Sequence, residues 1–464
     1  MLAHVRLPAS HLANPATGEE FPAPTSQSDA TVDAMLDAAQ VASRTWGNLP
    51  IHDRANVMKA AASLLRKERE LLARTISLEM GKPLSEALAE IEKSAWNCEY
   101  VAGQTSQWLA DRPVTTNAAL SYVAYRPLGV VLAILPWNFP VWQIFRCAAS
   151  ALMAGNAVVL KHAPNVPQSA ANVTDLLRRA GLPSAVFQNL VVPVERIAAI
   201  IRDERISAVT FTGSPASGAA VAMNAGAACK KSILELGGSD AFIILDDADL
   251  DAAVAAAVRA RFSNCGQVCL AAKRFIVADG CWSEFNARFV KSVGLLRVGN
   301  PLDGQTQIGP LARRDLRDAL DEQVQRSIAQ GARLLIGGSP LPGQGFFYSP
   351  TVLTDVEPTN PVAMEETFGP VAPLMRAQSA DHALQLANES RYGLGAVIWT
   401  RDTGRAREMA VHLQAGSVSI NAVTASDPRL PVGGVKLSGY GRELGEAGMR
   451  EMVNVQSVVI GPLA

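Results

Sequence analysis

Histidine and cysteine are scarce, with 6 of each among 464 residues. Cysteines scattered through so long a chain make no disulfide framework, so a reducing cytoplasm is the expected setting. Cys265 and Cys269 form no pair of Cys-x-x-Cys units and have no histidine cluster beside them, which argues against a structural zinc site. Neither sign of charge is in excess: Lys plus Arg number 42, Asp plus Glu 43, for a net charge of -1. Nothing there speaks for nucleic acid, and no long charge block marks a disordered tail. Uninterrupted apolar runs are short; the best, Leu128 to Leu135, stops at Pro136, so no membrane span is expected. Met1 to Pro8 lack the basic region and apolar run of a secretory signal. Internal repeats and low-complexity segments are absent.

What is present is an alternation of apolar strands and helical segments. Helical spacing begins after Ser28, a plausible N-cap, and recurs from Arg54 to Met80, ended by Gly81-Lys82-Pro83, and from Ser85 to about Leu109. From Ala119 to Val131 the pattern suggests strand or hairpin. Val130 to Ile134 and Ala157 to Leu160 are continuous apolar runs of the kind buried on both faces, joined by a crossover helix within Phe139 to Met153. Strands follow at Ala208 to Phe211 and Ser232 to Leu236, and a second α/β region starts near Ala241 and runs to about Ile420. The fold class is therefore doubly wound α/β. Asn454 to Ile460 is a β-prone tail that either completes a sheet in a partner subunit or pairs locally.

Chemistry centres on Arg261 to Arg274. A glycine shortly before Cys269 lets the chain turn sharply, so the sulfur and its own N–H can face one substrate atom; the alternative is a small buried hydrophobe. Asn138, in Pro136-Trp137-Asn138-Phe139-Pro140 at the end of a buried strand, is either a fixed donor to a developing oxyanion or an asparagine turn. Glu235 closes an apolar strand before Gly237-Gly238. Desolvation would raise its pKa toward the range of a general base, unless it sits in a buried salt bridge. Gly213-Ser214, leaving a strand and entering a helix, suits a pyrophosphate, although the stretch is neither a GxGxxG fingerprint nor a Walker A loop.

These motifs, with Glu366-Thr367-Phe368-Gly369-Pro370 and Pro431-Val432-Gly433-Gly434-Val435-Lys436-Leu437-Ser438-Gly439, stand in the order and spacing of the NAD(P)-dependent aldehyde dehydrogenase superfamily, which the chain resembles over nearly its whole length. Lys161-His162-Ala163-Pro164-Asn165-Val166 and Ala425-Ser426-Asp427 look most like its succinate-semialdehyde dehydrogenases that accept NAD or NADP. Val432 departs from the usual Phe at its position.

The resemblance implies two doubly wound domains, with 1-110 and 127-237 binding NAD(P) and 238-437 carrying the nucleophile. It also implies a small β oligomerisation arm from 111-126 and 438-464. It implies Cys269 as nucleophile, Asn138 and the Cys269 N–H as oxyanion donors, and Glu235 as the base that hydrolyses a thioester. Lys161 would contact the adenosine ribose, Glu366 and Phe368 the nicotinamide ribose, and Trp137, Gly213, Ser214 and Leu236 the rest of the dinucleotide. Pro164 stands where NAD-preferring relatives commonly carry an acid, so NADP should be tolerated alongside NAD.

For the substrate, Arg146 lies eight positions after Asn138, and its planar fork would suit a distal carboxylate, with a structural ion pair as the alternative; Ser426 would add a hydrogen bond. Ser263 stands where some relatives have a second arginine. The expected reaction is oxidation of succinate semialdehyde to succinate, with glutarate semialdehyde or another small aldehyde as the alternative and a silent structural relative as a remote one. A homodimer or homotetramer is expected. Cys265, four residues before Cys269, is within possible reach of it, so a reversible disulfide that silences the enzyme is a further expectation.

Overall fold

The computed structural model describes residues 12–461, and the segment Met1 to Pro8 lies outside them. Four helices open the chain: Asp29–Gly47, Ile51–Lys67, Arg69–Met80 and Leu84–Trp108. Ser28 caps the first, accepting from the Thr31 N–H. The helical stretch expected over Arg54 to Met80 is two helices that break at Glu68. Gly81, at φ 80°, ends the second of them in the left-handed conformation favoured after a helix.

A six-stranded sheet follows. Its order across the sheet is Gly439–Tyr440, Lys231–Leu236, Ile206–Gly213, Val130–Leu135, Ala157–His162, Phe187–Asn189. Val130–Leu135 is buried at every position, because parallel neighbours flank it and helices cover both faces. Successive crossovers run one way from this strand to Ala157–His162 and the other way to Ile206–Gly213. The order therefore reverses at the carboxyl end of Val130–Leu135, where a crevice opens in such sheets. The loop Pro136–Pro140 and the pair Gly213-Ser214 sit at that crevice.

A second, seven-stranded sheet has the order Arg333–Ile336, Thr351–Thr354, Val371–Ala377, Ala272–Ala278, Asp240–Ile244, Gly395–Trp399, Ser417–Ile420. Only Gly237-Gly238-Ser239 separates it from the last parallel strand of the first sheet. The third sheet joins Arg112–Pro113, Leu120–Pro127 and Val453–Ile460. The terminal strand pairs antiparallel with Leu120–Pro127 of its own chain over eight positions, Val453 opposite Pro127 through Ile460 opposite Leu120.

Of the described residues in the stretch 438–464, expected wholly in the arm, only this strand builds it. Gly439–Tyr440 pairs back onto Lys231–Leu236, and the helix Gly445–Glu451 packs on Leu84–Trp108 and Trp142–Met153. The reason is local: Met449, Met452 and Val453 are apolar and enter the first domain's core.

Candidate active site

The nucleophile loop owes its shape to Gly266 and Arg261. Gly266 has φ 73°, and a Cβ there would meet the Gly369 carbonyl oxygen at 2.2 Å, so both conformation and space demand glycine. Arg261 is fully buried and donates to four carbonyls: Ala272 (3.1 Å), Gly266 (2.7 Å), Thr367 (3.2 Å) and Gly369 (2.7 Å). One side chain thus ties the Cys269 loop to the Glu366–Pro370 loop. Nothing in the local pattern signals this tie, because two of the four carbonyls, those of Thr367 and Gly369, lie 106 and 108 residues away.

Cys269 itself is half-buried and packs with Phe139 and Val268 against a small cluster of Trp142, Leu270, Leu394, Val432 and Leu444. Burial raises its thiol pKa, while the nearby charges of Arg146 and Lys273 act to lower it. The Lys273 ammonium also donates to the Cys269 carbonyl at 2.6 Å.

Asn138 is held from three sides. Its side-chain amide donates to the Gln267 carbonyl at 3.0 Å, leaving a second amide hydrogen available. Its carbonyl accepts from Asn264 at 2.8 Å and from Lys82 at 2.9 Å. Lys82 is in turn paired with Glu90, and both side chains are wholly buried. The other Glu90 oxygen accepts the Val141 and Trp142 N–H groups, each at 2.9 Å. This ion pair fastens the loop at both ends.

Glu235 is buried at the end of its strand, and its Oε1 has no hydrogen-bond partner among the described residues. A Cβ on Gly433 would come within 2.8 Å of that oxygen, so the late loop closes over the carboxyl. Burial pushes its pKa up to about 8; Arg146 opposes the shift and Glu443 adds to it.

The structure corrects one sequence expectation and changes the setting of another. Arg146 does not offer a free fork: it is buried in an ion pair with Glu443 and donates to Thr212 at 2.9 Å. The anion that an arginine on an apolar helix needs is supplied by the chain itself, 297 residues away in sequence, which spacing alone cannot reveal. Cys265 packs with Phe262 and the core of the second domain, whereas Cys269 packs in the separate cluster around Trp142. Asn264 and Cys265 both take left-handed φ, so the helical reach from Cys265 to Cys269 is not realised, and both thiols are free. Ser426 accepts a 2.7 Å hydrogen bond from Lys93, a residue the sequence reasoning passed over.

The residues expected at the dinucleotide have a chemistry that fits such a group. Lys161, one residue before the end of its strand, is 8% exposed, with its pKa lowered by burial alone and no ion pair among the described residues. A buried ammonium left without an anion is what polar ribose or phosphate oxygens would satisfy. Pro164 stands exposed three residues on. Ser214 caps the helix Pro215–Ala227, whose start follows the strand ending at Gly213. Trp137 and Phe368 meet edge to face, ring centres 5.8 Å apart. Glu366 lies against Gly237-Gly238, accepting the Gly238 N–H at 3.1 Å and pairing with Lys273 at 3.1 Å. Leu236 packs over Gly218 of the helix. Among the described residues no His, Cys, Asp and Glu group could hold a metal ion, and no helix is long and apolar enough to cross a membrane.

A two-domain α/β enzyme with a thiol and an unpaired carboxyl at the inter-sheet cleft is the class this arrangement defines. The sequence pattern of the Aldehyde dehydrogenase family matches residues 8–458, and the chain belongs to that family of oxidoreductases. It is 46% identical over 454 residues, 97% of this chain and 98% of the relative, to the succinate semialdehyde dehydrogenase [NAD(P)+] of Escherichia coli K12. It is 45% identical over 447 residues, 96% of this chain and 98% of the relative, to a probable succinate-semialdehyde dehydrogenase [NADP(+)] of Synechocystis. Among solved structures, succinic semialdehyde dehydrogenase from Streptococcus pyogenes in complex with NADP+ superimposes with a TM-score of 0.96 at 34% identity, covering 98% of this chain and 100% of that one.

Proposed function

We propose that this protein oxidises succinate semialdehyde to succinate with NAD or NADP. The observation that carries the reading is the meeting of Cys269, the Asn138 amide and the unpaired Glu235 carboxyl at one cleft, in a chain similar over its full length to enzymes named for that substrate. The Cys269 sulfur, as thiolate, bonds to the aldehyde carbon, and the new oxyanion is held by the second Asn138 amide hydrogen and the Cys269 N–H. A bound nicotinamide dinucleotide supplies the acceptor for the hydride that leaves this carbon. Cys269 then holds a thioester. Glu235 takes a proton from water, the water oxygen bonds to the acyl carbon, and the carbon–sulfur bond breaks to release the acid. With its pKa raised to about 8, Glu235 is mostly protonated at neutral pH, and the carboxylate fraction that acts as base grows as pH rises.

Lys161, Ser214, Trp137, Phe368 and Glu366 hold the dinucleotide in this reading. Pro164 supports use of NADP, since no carboxylate there repels a 2′-phosphate. The exposed Leu120, Val455, Val459 and Ile460 of the three-stranded arm support a homodimer or homotetramer, and the free cysteines fit a reducing cytoplasm. The deciding assay follows nicotinamide reduction by absorbance over a panel of succinate semialdehyde, glutarate semialdehyde, butanal and acetaldehyde. A kcat/KM at least ~10-fold higher for succinate semialdehyde supports the reading; a higher value for any other member of the panel overturns it.

A further inference from the structure

With Arg146 committed to Glu443, Lys93 is a cation beside Cys269 with no ion pair of its own among the described residues. Lys93 lies on the helix Leu84–Trp108, three residues after the Glu90 that anchors the Asn138 loop. Its ammonium donates to Ser426 Oγ at 2.7 Å and sits 4.4 Å from the centre of the Trp142 ring. Trp142 belongs to the apolar cluster that packs with Cys269, so Lys93 stands beside a side chain that surrounds the nucleophile.

Among the described residues Lys93 makes no ion pair, although carboxylates are near. Asp427 gives both oxygens to Arg429, at 2.8 and 2.7 Å. Glu90 is spent on Lys82 and two backbone amides. Facing Lys93 from the helix that carries Trp142 is the like charge of Arg146, with Cys269 and Asp427 facing it from their loops and Glu90 from its own helix. Burial, and then Arg146, lower its pKa to about 8. A half-buried ammonium beside an arginine is under-compensated, and an incoming carboxylate relieves that.

Building on the function proposed above, we infer that Lys93 receives the distal carboxylate of an aldehyde acid and sets the enzyme's preference for it over uncharged aldehydes. Ser426 Oγ, held by Lys93 in the free enzyme, turns its hydrogen to the same carboxylate. Trp142 and Val432 flank the methylenes between the two ends. The substrate is thereby gripped at its charged end while the aldehyde reaches Cys269.

The test compares wild type, Lys93→Met and Lys93→Arg on succinate semialdehyde and butanal, which has the same number of carbons and no charge. Occupied sites are counted by quenching of protein fluorescence on titration with NADP. A charge-assisted hydrogen bond predicts that the ratio of kcat/KM values, succinate semialdehyde over butanal, falls about 10- to 100-fold in Lys93→Met, mainly through KM. Lys93→Arg should keep the ratio within about 5-fold of wild type. In wild type the ratio should fall as pH rises through about 8. Cys269 and Glu235 serve both substrates, so their ionisation cancels in it. In Lys93→Arg it should stay level, because arginine remains charged.

A wild-type preference that persists in Lys93→Met overturns the inference and leaves the proposed function standing. Loss of both activities in equal proportion overturns it too, since that marks a structural role. A wild type with no preference for succinate semialdehyde refutes the proposed function itself.

Discussion

Replacing Glu443 by glutamine tests whether the electrostatics of the cleft are as the geometry implies. Glu443 is bonded to Thr210 at 3.0 Å and to Arg146, and Thr210 lies two residues before Thr212, which is in register with Glu235 on the next strand. One strand spacing across and two residues along put the backbones of Thr210 and Glu235 roughly 8 Å apart on one sheet face, which sets about 8 Å as the scale of the separation between the two carboxyls. At an effective dielectric of about 20, unit charges at that distance interact by about 2 kcal/mol, equivalent to about 1.5 pH units. Removing the Glu443 charge eliminates a repulsion that raises the pKa of Glu235, and it leaves Arg146 free to stabilise the Glu235 carboxylate more strongly. Both effects act downward.

In wild type, deacylation should fall off as pH drops below about 8, where Glu235 becomes protonated. In Glu443→Gln this acid limb should move down by about 1.5 units or more, read from the steady phase that follows the rapid first turnover in stopped-flow NADH traces. The glutamine amide keeps an oxygen for Thr210, but the buried Arg146 loses its counter-ion, so a thermal melt should show a lower midpoint, and the pH series is run well below it. A limb that stays in place, or moves up, would show that Glu443 and Arg146 do not govern Glu235.

Cys269→Ser should lower NADH production at least ~10³-fold while NADP still quenches protein fluorescence, because the hydroxyl is a far weaker nucleophile and the dinucleotide crevice is untouched. Lys82→Met leaves the Glu90 carboxylate buried without its partner; chemical denaturation should show a loss of about 3–5 kcal/mol, with turnover falling as the Asn138 loop loosens. A midpoint within error of wild type would refute the clamp. Pro164→Glu should cut kcat/KM for NADP at least ~10-fold relative to NAD, through repulsion of the 2′-phosphate; equal losses with both dinucleotides would place Pro164 outside the ribose site.

The sequence by itself determined the strands buried on both faces, such as Val130–Leu135, the N-cap at Ser28, and the motifs around Cys269, Asn138 and Glu235. Each of these is written in a few consecutive residues whose burial, backbone freedom or reactivity depends on near neighbours. It overran the break at Glu68, since helical periodicity passes through a single kinked residue without a gap in the apolar pattern. Only the tertiary structure decided which charges meet. Arg146 finds Glu443, Arg261 finds carbonyls more than 100 residues away, Lys82 and Glu90 close on the Asn138 loop, and Lys93 is left without an ion pair beside Trp142. Coulomb interactions and hydrogen bonds act through space between segments that folding brings together, and that proximity is a property of the packed chain.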